Sequence, residues 1–199
     1  MSVFFWNTYA GRYSRQSIAN PEAYETKLAA TRERLTPDSL VLEFGCGTGS
    51  TAILHAPLVA SIHGLDTSPR MIEIARSKAA SAGIDNATFQ LGTVFDSSDG
   101  PFDVVLGLNI LHLVRDLGAT LDRCRELLRP GGVLIASTAC ITGGWEPWLL
   151  PIPAAVGVLP TCRFFSCEEL LQAHADAGFT VESCTFPGSP TGAFTIARR

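Results

Sequence analysis

Leu40-Val41-Leu42-Glu43-Phe44-Gly45-Cys46-Gly47-Thr48-Gly49-Ser50 is the stretch that decides the fold. Leu40, Val41, Leu42 and Phe44 form an apolar run with almost no polar break, the pattern of a strand covered on both faces. Glu43 interrupts it near its end, and three glycines then alternate at 45, 47 and 49. Alternating glycines permit a tight turn and a ligand approach that a Cβ would obstruct. Strand, glycine turn and helix start are the parts of a nucleotide-binding βα unit in an open α/β sheet.

Charge narrows the nucleotide. The dinucleotide fingerprint needs G-x-G-x-x-G, and its last position here is Ser50. The P-loop needs Gly-Lys-Ser/Thr, yet no basic residue occurs from Glu43 through Leu54. A pyrophosphate would be repelled by Glu43. A ligand with a positive end and no phosphate suits it, and S-adenosylmethionine, with a sulfonium and an α-ammonium, fits that description.

The segment VLEFGCGTGS (41–50) resembles the first motif of the class I S-adenosylmethionine-dependent methyltransferases. The resemblance runs from about Tyr9 to the C-terminus. LDTSPRMIEIAR (65–76) is similar to the family's segment after the second strand, FDVVLGLNILHLV (102–114) to the fourth strand and its sequel, and LLRPGGVLIAS (127–137) to the turn into the fifth. The fold implied is α/β: a doubly wound, seven-stranded, mostly parallel Rossmann-like sheet closed by an antiparallel hairpin. The implied activity is methyl transfer to a small-molecule acceptor, with S-adenosylmethionine as cofactor. Its candidate binding residues are Glu43, Gly45, Cys46, Gly47 and Gly49 at the turn, Asp66, Thr67 and Met71 after the second strand, Thr93 and Val94 after the third, and Asn109 after the fourth.

Asp66 ends the strand SIHGLD (61–66), about twenty residues beyond Gly45, where a carboxylate can accept both ribose hydroxyls. The competing role is a strand-end acid capping the next helix; on the ribose reading, its loss costs cofactor and spares the fold. Thr93 stands where relatives carry an acid for the adenine amino group, so the adenine edge falls to backbone groups of Thr93 and Val94, with Asp96 close but shifted. His112, three residues beyond Asn109, is the candidate general base, because neutral imidazole is available near pH 7. Its alternative role is packing between Leu111 and Leu113.

The remaining elements read as follows. Asn20-Pro21-Glu22 starts a helix. Ahead of it, Phe4, Phe5, Trp6, Tyr9 and Tyr13 cluster around Arg12 and Arg15. These aromatics either dock the first helix onto the core, the reading favoured by how aromatics pack, or belong to a cover over the cofactor (1–36). A helix begins at Thr48 and ends near Pro57; another follows Ser68-Pro69; strands span 87–91 and 102–108. Asp116 opens a helix to Leu128, Arg129-Pro130-Gly131-Gly132 turns the chain, and the fifth strand covers 133–138. Residues 139–165, with Trp145, Trp148 and a proline-broken apolar run, form a lid-like insertion or a docking patch. Ser166-Cys167-Glu168-Glu169 is a capping box, and 179–186 with 191–197 form the closing hairpin.

Bulk properties set the outer limits. The chain has 199 residues, 46% of them hydrophobic, with a formal charge of −4. That suits one domain with a full core and lacks the basic footprint of a nucleic-acid binder. No apolar run is long enough for a membrane span, and no signal peptide is evident, so the expected setting is cytoplasmic. Six cysteines form no CxxC pair and read as small buried thiols; no metal site is expected. A non-catalytic module binding S-adenosylmethionine or its demethylated product is the first alternative, and a nicotinamide oxidoreductase the second. Oligomeric state and acceptor are left open.

Overall fold

The computed structural model describes residues 3–140, 162–163 and 165–199. Helices α1 (Val3–Tyr13) and α2 (Pro21–Arg32) precede strand β1 (Leu40–Phe44). There follow α3 (Ser50–His55), β2 (Ser61–Asp66), α4 (Pro69–Ser81), β3 (Ala87–Leu91), β4 (Phe102–Leu108), α5 (Leu117–Leu127) and β5 (Leu128–Ala139). The chain closes with α6 (Cys167–Asp176), β6 (Thr180–Thr185) and β7 (Gly192–Arg198). The lid-like insertion expected at 139–165 falls mostly on 141–161, outside the described residues.

The seven strands pair in the order β3-β2-β1-β4-β5-β7-β6. β1 pairs in parallel with β2 and β4, and only β7 runs antiparallel to its two neighbours. From β1 the chain first winds outward to β2 and β3, then returns to place β4 on the other side of β1. This reversal opens a crevice beyond the carboxyl ends of β1 and β4, where ligands of open α/β sheets bind.

Alternation along each strand feeds two cores, one on each face. Leu42, Phe44, Val105, Leu134 and Ala136 pack with Leu121 and Cys124 of α5 and Leu170 of α6. Val41, Val104, Leu106 and Ile135 pack on the other face with Ala52 of α3 and Ile72 and Ala75 of α4. Fully buried leucines such as Leu42, Leu106 and Leu134 contribute about 1.5–3 kcal/mol each through apolar transfer. Burial on both faces is why these strands read as unbroken apolar runs.

Local signals set the ends. Asn20, Ser68, Asp116 and Ser166 each accept a helix-start N–H, from Ala23, Met71, Ala119 and Glu169 respectively. α3 begins at Ser50 and not Thr48, because Gly49 is left-handed (φ 72) and cannot continue a right-handed turn. β5 starts at Leu128, earlier than the sequence suggests. Leu128 pairs with Phe102 before the ladder shifts, and pairing resumes at Val133–Val104. The Arg129–Gly132 turn is thus a bulge inside one strand, with Gly131 at φ 78.

Candidate functional site

The glycine turn leaves β1 at the crevice. Cys46 N–H donates to Leu65 O at 3.0 Å, fastening the turn to β2. The Cys46 thiol is buried against Gly64, and burial raises its pKa well above the usual thiol range. Of this residue the backbone alone is suited to a ligand. Gly47 and Gly49 are both left-handed, yet their surroundings differ. A Cβ on Gly49 would sit 2.8 Å from Ala75 Cβ and from the Phe89 ring, whereas one on Gly47 would meet only Tyr13 Cε1, at 3.9 Å. Gly49 lets a helix and a strand close in; Gly47 leaves open space for a ligand.

Glu43, on β1 in register with Gly64 and Leu106, is only 3% exposed. It accepts the Ala52 N–H, while its Oε2 is buried and has no partner among the described residues. Burial pushes its pKa up to about 8, Asp66 adds to the rise, and the Ala52 bond opposes it. An unused carboxyl oxygen so enclosed is costly unless a donor meets it. Glu43 also lines a cavity of about 620 Å³.

That cavity is built from distant parts of the chain. Gly45, Cys46 and Gly47 meet Leu108 and Asn109 beyond β4, while Tyr13, Tyr24 and Lys27 come from the N-terminal helices. Asn109 is left-handed (φ 54); its N–H donates to Ser137 Oγ at 3.0 Å, and Ser137 Oγ donates to its Oδ1 at 3.1 Å. Ser137, also on the wall, was not legible from the motif because only the β4–β5 pairing brings it there. Lys78 Nζ donates to Thr48 Oγ1 at 3.1 Å and Ser50 Oγ at 3.0 Å. The turn thus lacks a basic residue in sequence and gains one in space, so charge alone separates the nucleotides less sharply than the sequence suggests.

The other candidates lie off this wall. Asp66 accepts Gly47 N–H at 2.9 Å through Oδ2 and Ser68 N–H at 2.8 Å through Oδ1, and the Thr67 N–H as well. A carboxylate has about four acceptor positions, so room is left for one further donor and not two. Asp66 also braces the turn and the start of α4, the capping role that the sequence sets against ribose binding. Burial still raises its pKa, against those three N–H donors. Met71 is buried in the first turn of α4, its N–H donating to Ser68 Oγ at 3.2 Å. Thr93 caps a short 3₁₀ turn over Val94–Asp96. Asp96 Oδ2 accepts both its N–H (2.8 Å) and its hydroxyl (2.7 Å), which holds the Asp96 pKa below the usual range. The Thr93 groups offered to adenine are thus engaged, and Val94 is buried in the core.

His112 sits in a 3₁₀ turn between buried Leu111 and Leu113, with Nδ1 3.2 Å from Thr138 Oγ1. Burial lowers its pKa. It is not among the residues lining the cavity.

The N-terminal aromatics divide. Trp6 packs against the core and so docks α1 there, whereas Phe4 is 76% exposed and Ala10 is the one fully buried residue of α1. Phe5 stacks on Tyr9 with centroids 5.6 Å apart, and Trp6 meets Tyr13 edge-on at 6.2 Å. Asn7 Oδ1 accepts the Ser68 hydroxyl (2.6 Å) and Arg70 N–H (3.2 Å), fixing α1 to the start of α4. Tyr13 is thereby set above Gly47, and its pKa is raised by burial first and then by neighbouring Tyr24, Glu43 and Asp66.

Comparison with known proteins agrees with this geometry. A family model described as a methyltransferase domain matches residues 16–184. A ubiquinone biosynthesis O-methyltransferase of Cereibacter sphaeroides (strain ATCC 17029 / ATH 2.4.9) is 37% identical over 201 residues, covering 89% of this chain and 78% of its own. One from Methylocella silvestris is 34% identical over 166 residues, covering 73% of this chain; the match spans 61% of the relative's length. Among solved structures, the geranyl diphosphate C-methyltransferase of Streptomyces coelicolor A3(2), in complex with Mg2+, geranyl diphosphate and S-adenosyl-L-homocysteine, has a TM-score of 0.74 at 17% identity, covering 99% of this chain and 96% of its own. The [4+2]-cyclase SpnF has a TM-score of 0.76 at 20% identity, covering 93% and 83%. These two likenesses speak to the fold alone. With the family model, the curated relatives and the sheet order in agreement, the chain belongs to the class I S-adenosylmethionine-dependent methyltransferases.

Proposed function

We propose that this chain transfers a methyl group from S-adenosylmethionine to a small, partly apolar acceptor. The observation that carries the reading is Glu43: a buried carboxyl on the cavity wall, one oxygen without a partner among the described residues, beside the opening that Gly47 leaves. A ligand with a cationic, hydrogen-bonding end supplies the missing donor. The residues present fit that cofactor. Gly45, Cys46 and Gly47 offer backbone groups, Asn109 its backbone carbonyl and side-chain amide, Asp66 one acceptor position, and Thr67 and Met71 the more distant edge, where the Thr93 groups are already engaged by Asp96. When bound, S-adenosylmethionine supplies an activated methyl cation equivalent that an in-line nucleophile removes.

The protein's share of the work is alignment and exclusion of water. Tyr13 and Tyr24 stand at the cavity, and α1 with α2 serve as a cover in this reading. His112 is proposed as the base. Its lowered pKa keeps the ring neutral at pH 7, and Nδ1, which accepts the Ala139 N–H at 3.5 Å with the Thr138 hydroxyl 3.2 Å away, is the unprotonated nitrogen, so the ring proton sits on Nε2. The relatives' shared name, O-methyltransferase, supports a hydroxyl as the acceptor. No helix among the described residues is long and apolar enough to cross a membrane.

The test is incubation of the protein with methyl-labelled S-adenosylmethionine and a metabolite extract, followed by identification of labelled products, for wild type and His112→Gln. A labelled small molecule is expected, with turnover about 10²–10⁴-fold lower in the variant. Cofactor binding without any labelled product would favour the non-catalytic module. Equal turnover by both proteins would assign His112 to packing.

A further inference from the structure

Asn109 is the only non-glycine among the described residues with a left-handed backbone. That conformation costs a residue with a Cβ about 1–2 kcal/mol, least for asparagine and aspartate. Such strain persists where the surroundings hold it, and here they come from one side chain. Ser137, 1% exposed and paired with Leu108 across the β4–β5 ladder, grips Asn109 twice. Its oxygen accepts the Asn109 N–H at 3.0 Å, and its proton goes to Asn109 Oδ1 at 3.1 Å. A hydroxyl has one proton, so Ser137 has none left to donate to a ligand. The two bonds together fix the backbone and the side-chain rotamer of Asn109. They leave its Nδ2 amide and backbone carbonyl without a partner among the described residues, on the cavity wall.

We propose that Ser137 is a positioning residue: it locks Asn109 in its left-handed conformation so that the free amide and carbonyl of Asn109 meet the amino-acid end of the methyl donor. The inference rests on the methyl-donor reading above. It separates Ser137 from its neighbour Thr138, whose hydroxyl serves His112. Consecutive hydroxyls at the end of β5 thus hold the two candidate residues that follow β4.

Glycine adopts the left-handed conformation freely, so an Asn109→Gly protein has little for Ser137 to hold. The experiment compares wild type, Ser137→Ala, Asn109→Gly and the double variant, reading S-adenosylhomocysteine affinity by calorimetry and Tm by thermal unfolding. Ser137→Ala should weaken affinity roughly tenfold in the wild-type background, and less than about twofold in the Asn109→Gly background. Ser137→Cys, a near-isostere with a weaker donor, repeats the comparison if the alanine variant folds poorly. An equal loss in both backgrounds would mean that Ser137 touches the ligand itself. A lower Tm with unchanged affinity would mean a packing role. Either result overturns the proposal. Wild type that binds neither S-adenosylmethionine nor S-adenosylhomocysteine overturns the methyl-donor reading, and this inference with it.

Discussion

Gly47 and Gly49 occupy one turn, two residues apart, and answer to different constraints. Both have positive φ, so alanine at either pays about 1–2 kcal/mol of backbone strain. Beyond that their costs diverge. At Gly49 the new Cβ meets Ala75 and Phe89 at 2.8 Å, so α4 and β3 must give way, for a total of about 3 kcal/mol or more. At Gly47 it meets nothing nearer than Tyr13 and fills ligand space. Gly49→Ala should therefore lower the urea midpoint strongly. Gly47→Ala should keep most of the stability and lose at least about tenfold in S-adenosylhomocysteine affinity, as 1.4 kcal/mol of lost contact implies. Chemical unfolding and calorimetry on the two variants check this, and the opposite ranking would show that the ligand lies elsewhere. The motif makes both glycines visible in the sequence. What it cannot show is which one faces the ligand, since Ala75, Phe89 and Tyr13 arrive from elsewhere in the chain.

Among elements, the strands were the most legible: β2, β3 and β4 fall where their apolar runs and flanking turns put them. Two boundaries moved for reasons of backbone geometry, at left-handed Gly49 and at the bulge holding Gly131. Helix α1 was the least legible. An aromatic-rich helix reads as core, yet Trp6 packs against the core while Phe5 and Tyr9 stack on each other and Phe4 stays exposed, and a polar residue, Asn7, holds the helix to α4. Removing that acceptor should free α1 with little effect on the sheet. Asn7→Ala is expected to cost about 1 kcal/mol in global stability, the net worth of a part-buried hydrogen bond such as the one from the Ser68 hydroxyl. Cleavage by trypsin after Arg12 and Arg15 should become several-fold faster, following the population of the opened state. If α1 covers the methyl donor, S-adenosylhomocysteine should slow cleavage in both proteins. Cleavage that ignores the ligand would remove α1 from the site.

At the scale of the whole molecule, the site couples burial to charge through Glu43. Burial of its carboxyl on β1 holds its pKa at about 8 against an ordinary 4.5, with Asp66 adding to the rise and the Ala52 N–H opposing it. Between those two values the folded protein keeps a proton that the unfolded chain has released. The contribution of Glu43 to stability therefore falls as pH rises from about 4.5 to about 8 and is level above that. A cation bound beside Oε2 favours the carboxylate and reverses the balance. Binding of S-adenosylmethionine at pH 7 should then release up to about one proton per site, and affinity should climb with pH until about 8. Calorimetry in buffers of different ionisation enthalpy reads the proton count directly. Glu43→Gln keeps an oxygen for the Ala52 N–H, cannot ionise, and should abolish both the buffer dependence and the climb. If Glu43→Gln releases the same number of protons as wild type, another group titrates, and the acid at the end of β1 is not what recognises the cation.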